Sequence, residues 1–296
     1  MSLIPRGKRL ARLVAAVFLL IGAALGPGSV AAPGIFSRQA EALNSGNEIE
    51  LALGFDTACA PTSAQMQTLW SNSPWFNAGV YVGGANISCK SNANLTASWL
   101  NAVHSQGWQF VYFYVGLQAT CTPAGKYYVM SSNTSTAQSQ GGDAATDAVY
   151  ILANPLGIPN SAAGTPITYD MEAYGQPSAG SGCQLAVNAF MKGWTSYLHT
   201  SPAQLSGYYG STCSSNVNLQ ASVSPVVDYI HGANYDSNPN PSVMSCVSSG
   251  NWVNNQRLKQ YVANVSASNY GVNISVDYDC AHGPTSPSGS QLNANC

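Results

Sequence analysis

The sequence predicts an α/β fold, a single-domain (β/α)8 barrel of the TIM type. Short apolar runs typical of strands alternate with amphipathic helical patterns, which favours parallel strands joined by crossover helices. Eight such runs occur within about 235 residues, a length that suits one closed barrel. No glycine-rich phosphate loop follows the first strand, so an open doubly wound sheet is the second choice.

The strand candidates are rich in aromatic and β-branched residues, as strands prefer. The third, at 108–118, places aromatic side chains on both of its faces. No clear helix separates the last three candidates, so we expect irregularity in the last three β/α units. In chain order the eight runs read IELALGF, AGVYVGG, WQFVYFYVGLQ, PITYD, LSGYYG, VVDYIHGAN, RLKQYVAN and NISVDYD.

Four helical patterns lie between the strand candidates of the first half. The first follows a Thr or Ser N-cap at Thr62 or Ser63, and the second ends at Gly107 as a C-cap. Apolar residues recur at helical spacing in the second, third and fourth patterns. The four read TSAQMQTLWSN, LTASWLNAVHSQGW, GDAATDAVYILANPLG and CQLAVNAFMKGWTSYLH.

Residues 1–32 have the features of a secretory signal peptide. Four basic residues between positions 6 and 12 precede an apolar run at 13–25 and the small residues SVAA. An uncleaved membrane anchor is the alternative, but the apolar run is short for a bilayer. A polar linker at 33–48, the barrel at 49–283 and a polar tail at 284–296 complete the predicted domain organisation.

The charge balance limits the classes of partner that the secreted chain can bind. Four of the ten Lys and Arg residues lie in the signal segment, so the secreted chain carries six basic and twelve acidic residues. Such a chain has no basic patch for nucleic acid. No later apolar run reaches 18 residues, so we expect no stable membrane insertion. We also expect a monomer that is secreted and is either extracellular or bound to the cell wall. Neither a cofactor motif nor metal-ligand spacing is present, so no cofactor is expected.

Eight cysteines in a secreted chain predict disulfide bonds. Seven are expected in loops after strands, where bridges between neighbouring loops are favoured because the Cα atoms must approach within about 7 Å. The connectivity itself stays open, and Cys296 is expected to pin the tail. The eight are Cys59, Cys89, Cys121, Cys183, Cys213, Cys246, Cys280 and Cys296.

Carboxylates concentrate at the predicted strand ends, although charged residues make up only 7% of the chain. Asp56 closes the first strand, Asp170 and Glu172 close the fourth, and Asp277 and Asp279 close the eighth. Residues two apart on a strand point the same way, and the carboxyl ends of barrel strands meet at one face. We therefore expect these acids to converge on one pocket.

Converging acids repel one another, which raises at least one pKa. Glycoside hydrolysis needs such a set, with a protonated carboxyl as general acid and ionised partners that activate water or stabilise positive charge. The alternative is that Asp170 and Glu172 are solvated loop acids or cap the next helix. A polar bond to a neighbouring strand end is a comparable interpretation of Asp56.

Aromatic and amide side chains near the strand ends are suited to sugar rings and hydroxyl groups. Core packing is the alternative for each tyrosine, because strands favour this residue. His231, on the sixth strand, is a further candidate for the pocket, and no G-x-S-x-G nucleophile elbow competes. The predicted substrate-binding residues are Tyr114, Gln118, Tyr174, Tyr208, Asn234 and Gln260.

Several segments resemble domain of unknown function 1906, the glycoside-hydrolase-like domain of secreted, mainly actinobacterial proteins. The resemblance covers about residues 50 to 283 and is carried by the segments GFDTACAP, GVYVGGAN, LTASWLNAVHSQGWQFVYFYVGLQA, TPITYDMEAY and GCQLAVNAFMKGWTSYLH. That family is similar in fold to the glycoside hydrolase family 25 lysozymes, barrels that cut peptidoglycan glycan strands.

The resemblance implies roles for the acids. Glu172 would be the general acid, while Asp170 and Asp277 would orient water or an acetamido group and stabilise charge, with Asp56 in the same constellation. The chain departs from the lysozymes in its eight cysteines and its HGAN segment, and its YDME also resembles chitinase-type barrels. We therefore expect a glycoside hydrolase acting on peptidoglycan or another N-acetylated glycan, such as a chitin-like one. The alternatives are a catalytically inactive glycan-binding barrel at the cell wall and a purely structural envelope protein.

Overall fold

The computed structural model describes residues 43–288 and Cys296. The predicted signal peptide, most of the linker and most of the tail lie outside the described residues. The strands are β1 Glu48–Asp56, β2 Asn77–Gly83, β3 Gln109–Tyr114, β4 Pro166–Asp170, β5 Leu205–Ser211, β6 Tyr229–Ala233, β7 Arg257–Ser266 and β8 Ser275–Thr285. The helices are α1 Ser63–Asn72, α2 Ala97–Ser105, α3 Thr134–Ala153 and α4 Gly182–Leu198.

The eight strands close into a barrel in the order β1 to β8, which confirms the predicted fold class. Each consecutive pair from β1–β2 to β6–β7 is parallel. The expectation of parallel strands is wrong for β8, which pairs antiparallel with both β7 and β1. No long helix connects β7 to β8, so the chain turns back directly through the short 3₁₀ helix Ala267–Tyr270.

The helices of the first half begin where their sequences provide caps. Thr62 caps α1 and completes a capping box with Gln65, and Ser181 caps α4 by accepting from the backbone of Gln184. The expected irregularity of the second half is present, because only 3₁₀ turns follow β5 and β7 in the described chain. The helices and the outward faces of the strands enclose the main hydrophobic core.

The barrel interior is divided into layers. Its middle is filled by a small apolar cluster that includes Phe113, Tyr229 and Leu258. Below it, at the amino ends of the parallel strands, Glu50 is completely buried and accepts a hydrogen bond from the amide of Asn77 at 3.1 Å. Above it, the mouth of the barrel is polar. The apolar layer therefore separates an acidic floor from an acidic mouth.

Four disulfide bonds join all eight cysteines. Cys59–Cys89, Cys121–Cys183 and Cys213–Cys246 connect the segments after neighbouring strands, as predicted. The predicted loop position is wrong for Cys183, which lies in the first turn of α4, and for Cys280, which lies within β8. Cys280 bonds to Cys296, which confirms that the tail is pinned. Three of the four bonds thus reinforce the mouth of the barrel.

Candidate active site

Asp56 and Asp277 meet at the seam between the first and last strands. Asp56 is the last residue of β1, and its register partner across the antiparallel ladder is Asp277. The expectation that Asp277 ends the eighth strand is wrong, because β8 begins at Ser275. The reversed direction of β8 brings its beginning to the mouth, so the two acids converge although the predicted strand end was incorrect.

Gln260 of β7 connects these two acids. Its Nε2 donates to Oδ2 of Asp56 at 2.6 Å and to Oδ2 of Asp277 at 3.0 Å. Its Oε1 accepts hydrogen bonds from the hydroxyl groups of Tyr209 and Tyr235, each at 2.8 Å. The buried amide therefore has its hydrogen-bonding capacity filled by protein, and it organises the seam rather than facing a ligand with free atoms.

Burial sets the electrostatics of Asp56. Its second oxygen, Oδ1, accepts from the hydroxyl of Tyr81 at 3.0 Å. Loss of hydration raises the pKa of Asp56 well above its usual value, and the nearby Asp279 and Asp277 raise it further. The pKa of Asp277 is also raised by burial, although the Asn264 backbone N–H partly offsets this. Both seam acids therefore have raised pKa values, and the amide of Gln260 opposes this shift at Asp56 by donating a hydrogen bond to it.

Asp279 and His231 form a second buried pair below the seam. Oδ1 of Asp279 lies 3.1 Å from Nε2 of His231. Burial raises the pKa of Asp279 well above its usual value and lowers the pKa of His231 to about 4. The imidazole is therefore neutral at physiological pH, and the pair adds no fixed positive charge to the site.

Asp170 and Glu172 face the same mouth from the end of β4. Asp170 is only 3% exposed, and its Oδ1 has no hydrogen-bond partner among the described residues. Burial raises its pKa well above the usual value, with further contributions from Glu172 and Asp56. Glu172 is half-buried at the rim. The pair thus consists of one deep carboxyl group, whose pKa is raised by burial, and one carboxyl group at the entrance.

Gln118 holds the Asp170–Glu172 segment in place. Its Oε1 accepts the backbone N–H of Glu172 at 2.8 Å, and its Nε2 donates to the backbone carbonyl of Asp170 at 2.9 Å. A third bond, to the carbonyl of Gly116, is 3.1 Å long. The side chain is completely buried, so Gln118 positions the acids instead of contacting sugar as the sequence suggested.

A cavity of about 640 Å³ opens beside these groups, within the size range of ligand sites. It brings together all four predicted catalytic acids. The loops after β1, β2 and β3 and the β7–β8 hairpin form its walls. Its lining includes Asp56, Tyr81, Asn86, Tyr127, Asp170, Glu172, Asn264 and Asp277.

Three predicted sugar-binding tyrosines lie outside this cavity. Tyr114 donates its hydroxyl to Asp147 of α3 at 2.8 Å, on the helical side of the sheet. Tyr174 and Tyr208 both donate to the carbonyl of Ser215, at 2.9 and 2.8 Å, beneath the loop after β5. All three are buried, and they serve as polar anchors of the helical layer.

Asn234 also has a different environment from the predicted one. Its Oδ1 accepts from the Ser245 backbone at 2.8 Å and from the Thr212 hydroxyl at 3.3 Å, so it braces the loop after β6. Of the predicted binding residues, Gln260 thus bonds to carboxyl groups of the acid cluster and Gln118 to its backbone.

Three other tyrosines lie at the acid cluster: Tyr81 donates to Asp56, while Tyr209 and Tyr235 donate to Gln260. The signal that identifies Tyr209 instead of Tyr208 is strand parity, since Asp170 pairs in register with Tyr209. Register between parallel strands depends on contacts far apart in sequence, so the alternation within one strand alone could not choose the face.

Among residues 43–288 and Cys296, no group of three or more His, Cys, Asp and Glu side chains is arranged to hold a metal ion. Within the same residues, no helix has the length and apolar character needed to cross a membrane.

Several solved structures are similar to this chain. An uncharacterized protein of B. stearothermophilus superposes with a TM-score of 0.50 and 16% identity, covering 78% of this chain and 95% of that one. The Tat-secreted Rv2525c of Mycobacterium tuberculosis, in complex with L-tartrate, has a TM-score of 0.45 and 13% identity over 78% and 96% of the two chains. The modular autolysin LytC of Streptococcus pneumoniae has a TM-score of 0.48 and 10% identity, covering 77% of this chain and 46% of that one.

No curated protein matches the sequence. The profile of the Rv2525c-like, glycoside hydrolase-like domain matches residues 67–281, which extend from α1 into β8. The matched segment contains Asp170, Glu172 and Asp277, whereas Asp56 precedes it. The expected relationship to glycoside-hydrolase-like barrels is confirmed, and the chain belongs to the family of Rv2525c-like, glycoside hydrolase-like domains.

Proposed function

We propose that this protein is a secreted glycoside hydrolase acting on peptidoglycan or another N-acetylated glycan. The main observation behind this proposal is a single cavity lined by all four acids, Asp56, Asp170, Glu172 and Asp277, with Glu172 at the rim and Asp170 in the interior. Membership of a glycoside hydrolase-like family supports this function. Four disulfide bonds support an extracytoplasmic location, where such bonds persist.

Glu172 is proposed as the general acid because it combines a position at the cavity entrance with partial exposure. Its proton would pass to the glycosidic oxygen as the bond from that oxygen to the anomeric carbon breaks. Water then adds to the anomeric carbon and returns a proton to the site. A positive charge that develops on the sugar ring would favour the ionised form of Asp170, and this carboxylate would in turn stabilise that charge.

A non-catalytic glycan-binding barrel is the second candidate, and a specific feature of Asp56 favours it. Both oxygens of this carboxylate are already bonded, one to Tyr81 and one to Gln260. These bonds occupy one lone pair on each oxygen and hold the carboxylate to protein groups, which limits its use as a base or nucleophile. Catalysis would then depend mainly on Asp170 and Glu172.

The deciding experiment is incubation of the purified protein with peptidoglycan and with chitin, followed by measurement of new reducing ends. Release of reducing ends from either glycan supports the hydrolase. Binding of these glycans without any release would overturn it in favour of the binding barrel. The absence of both binding and release would reject both candidates.

A further inference from the structure

The side-chain donors bonded to the acid cluster are already used within the protein. Tyr81 donates to Asp56, and Tyr209 donates to Gln260. The amide of Gln260 is divided between Asp56 and Asp277. The interior of the cavity therefore offers oxygen acceptors in excess, and a ligand rich in N–H or O–H donors fits it best.

The cavity also lacks positive charge. No Lys, Arg or His is among the described residues that line it. The neighbouring imidazole of His231 has a pKa lowered to about 4 by burial. Lys126, at the rim, is fully exposed, and it interacts with the ring of Tyr127 at 4.7 Å and electrostatically with Glu172. The interior acids thus have no cationic partner of the protein's own.

Asp170 supplies a second, independent feature that points to a ligand. It is 3% exposed, lines the cavity, and leaves Oδ1 without a partner among the described residues. A buried polar atom left unpaired costs about 1–3 kcal/mol. In addition, Asp56 and Glu172 both act electrostatically on this carboxyl. A positively charged donor placed there would meet three carboxyl groups.

The position of Asp170 relative to Glu172 identifies the part of the sugar that would reach it. Asp170 ends β4 and Glu172 follows two residues later, and both side chains line the same cavity. A sugar whose glycosidic oxygen lay at Glu172 would bring the substituent on its adjacent ring carbon, C2, within reach of Asp170. An acetamido group there would offer one N–H donor but would also bring a carbonyl oxygen that requires a donor, whereas an ammonium offers three donors and no acceptor.

We propose that the sugar seated at Asp170 carries a free 2-ammonium group, so that the preferred ligand is a glucosamine unit of a de-N-acetylated glycan. The ammonium has three donors and one positive charge, which match the acceptor excess and the missing cation. This inference rests on the proposed glycan-binding function and names the sugar chemistry within it. Partly de-N-acetylated peptidoglycan and chitosan both supply this group.

The test compares glucosamine tetramer with N-acetylglucosamine tetramer by isothermal titration calorimetry on the purified protein at pH 6. We expect the glucosamine tetramer to bind at least about tenfold more tightly, as one partly buried charge interaction would give. The preference should shrink as salt is raised, because salt screens the charges. A sedimentation assay then compares the binding of the protein to de-N-acetylated and to chemically re-acetylated peptidoglycan. Preferential binding to the de-N-acetylated form identifies peptidoglycan as the source of the sugar, and equal binding points to chitosan.

Asp170→Asn should remove the preference, and the matched control Asp143→Asn, an exposed carboxylate on α3 outside the cavity, should keep it. Equal or tighter binding of the acetylated tetramer would overturn the inference, as would an unchanged preference in Asp170→Asn. Either result leaves the hydrolase proposal standing, since that depends on release of reducing ends from acetylated glycans. The wild-type comparison decides the matter even if Asp170→Asn fails to fold.

Discussion

Asp56 and Asp277 are register partners across the antiparallel β1–β8 pair, and the single amide of Gln260 donates to both carboxyl groups. Two acids at this spacing would repel each other if both were ionised without a donor. The amide therefore acts as the neutral link that holds the closing seam of the barrel together.

The first prediction concerns this link. Gln260→Leu keeps the side-chain volume but leaves two carboxyl groups and two tyrosine hydroxyls without their partner. We expect the free energy of unfolding to fall by about 2–4 kcal/mol, measured by urea denaturation.

Gln220→Leu is the matched control, because Gln220 is equally buried but makes only one long hydrogen bond, 3.4 Å to Asn188, among the described residues. Its effect should stay below about 1 kcal/mol. Equal losses in the two variants would contradict the role assigned to Gln260.

The second prediction tests the proposed acid. Glu172→Gln removes the transferable proton at the rim while keeping the shape of the side chain. We expect the rate of reducing-end release to fall by about 10²–10⁴-fold, with an unchanged melting temperature because the residue is half-exposed. Asp143→Asn should retain full activity. A Glu172→Gln protein with wild-type rates would show that another group supplies the proton.

The third prediction concerns Gln118, which bonds to the backbone of both Asp170 and Glu172. Gln118→Ala should lower kcat by about tenfold or more, because misplacing an acid by an ångström costs catalysis. We also expect a loss of about 1–3 kcal/mol in the free energy of unfolding. If stability falls while kcat of the folded fraction is unchanged, Gln118 has a purely structural role.

The fourth prediction is a pH effect at the floor of the barrel. Burial is the main cause that raises the pKa of Glu50 to about 8 in the folded protein, from 4.5 in the reference state. The folded state then binds the proton more tightly than the unfolded state, so stability is full below about pH 4.5 and declines as the pH rises to about 8. The decline from this one group is roughly 3–5 kcal/mol.

Glu50→Gln removes that titration. We expect the variant and the wild type to have similar stability at pH 4, and the variant to become progressively more stable toward pH 8. The acids at the mouth also have raised pKa values, so both proteins should retain a residual slope of the same sign. A stability difference that does not change with pH would contradict the assignment to Glu50.

The fifth prediction concerns the Cys59–Cys89 bond, which joins the loops after β1 and β2, where Cys59 lines the cavity. Replacing both cysteines with serine should lower the free energy of unfolding by about 3–4 kcal/mol, given the 30-residue separation. The melting temperature of the oxidised proteins measures this. An unchanged value would mean that the loops are held by their other contacts.

Local patterns predicted much of the fold and part of the site. The closed barrel, the irregular second half and the bridges between neighbouring loops follow from alternation, composition and cysteine placement. The four acids were found because charged residues are rare and those at strand ends stand out. Their catalytic roles remain predictions.

Relationships between strands could not be obtained in the same way. The direction of β8 depends on the short β7–β8 connection, which the apolar run of the strand does not encode. The choice of Tyr209 over Tyr208 requires the register with Asp170. The bridging role of Gln260 requires three strands in place at once, because its partners include Asp56, some 204 positions away.

The reversed β8 has a practical consequence for handling the molecule. It begins at the cavity and descends to the opposite pole, where Thr285 pairs with Glu48 at the start of β1. Both ends of the barrel thus emerge at the floor, and their proximity suits circular permutation. Immobilisation on a solid support through either end would leave the mouth directed toward an insoluble polymer.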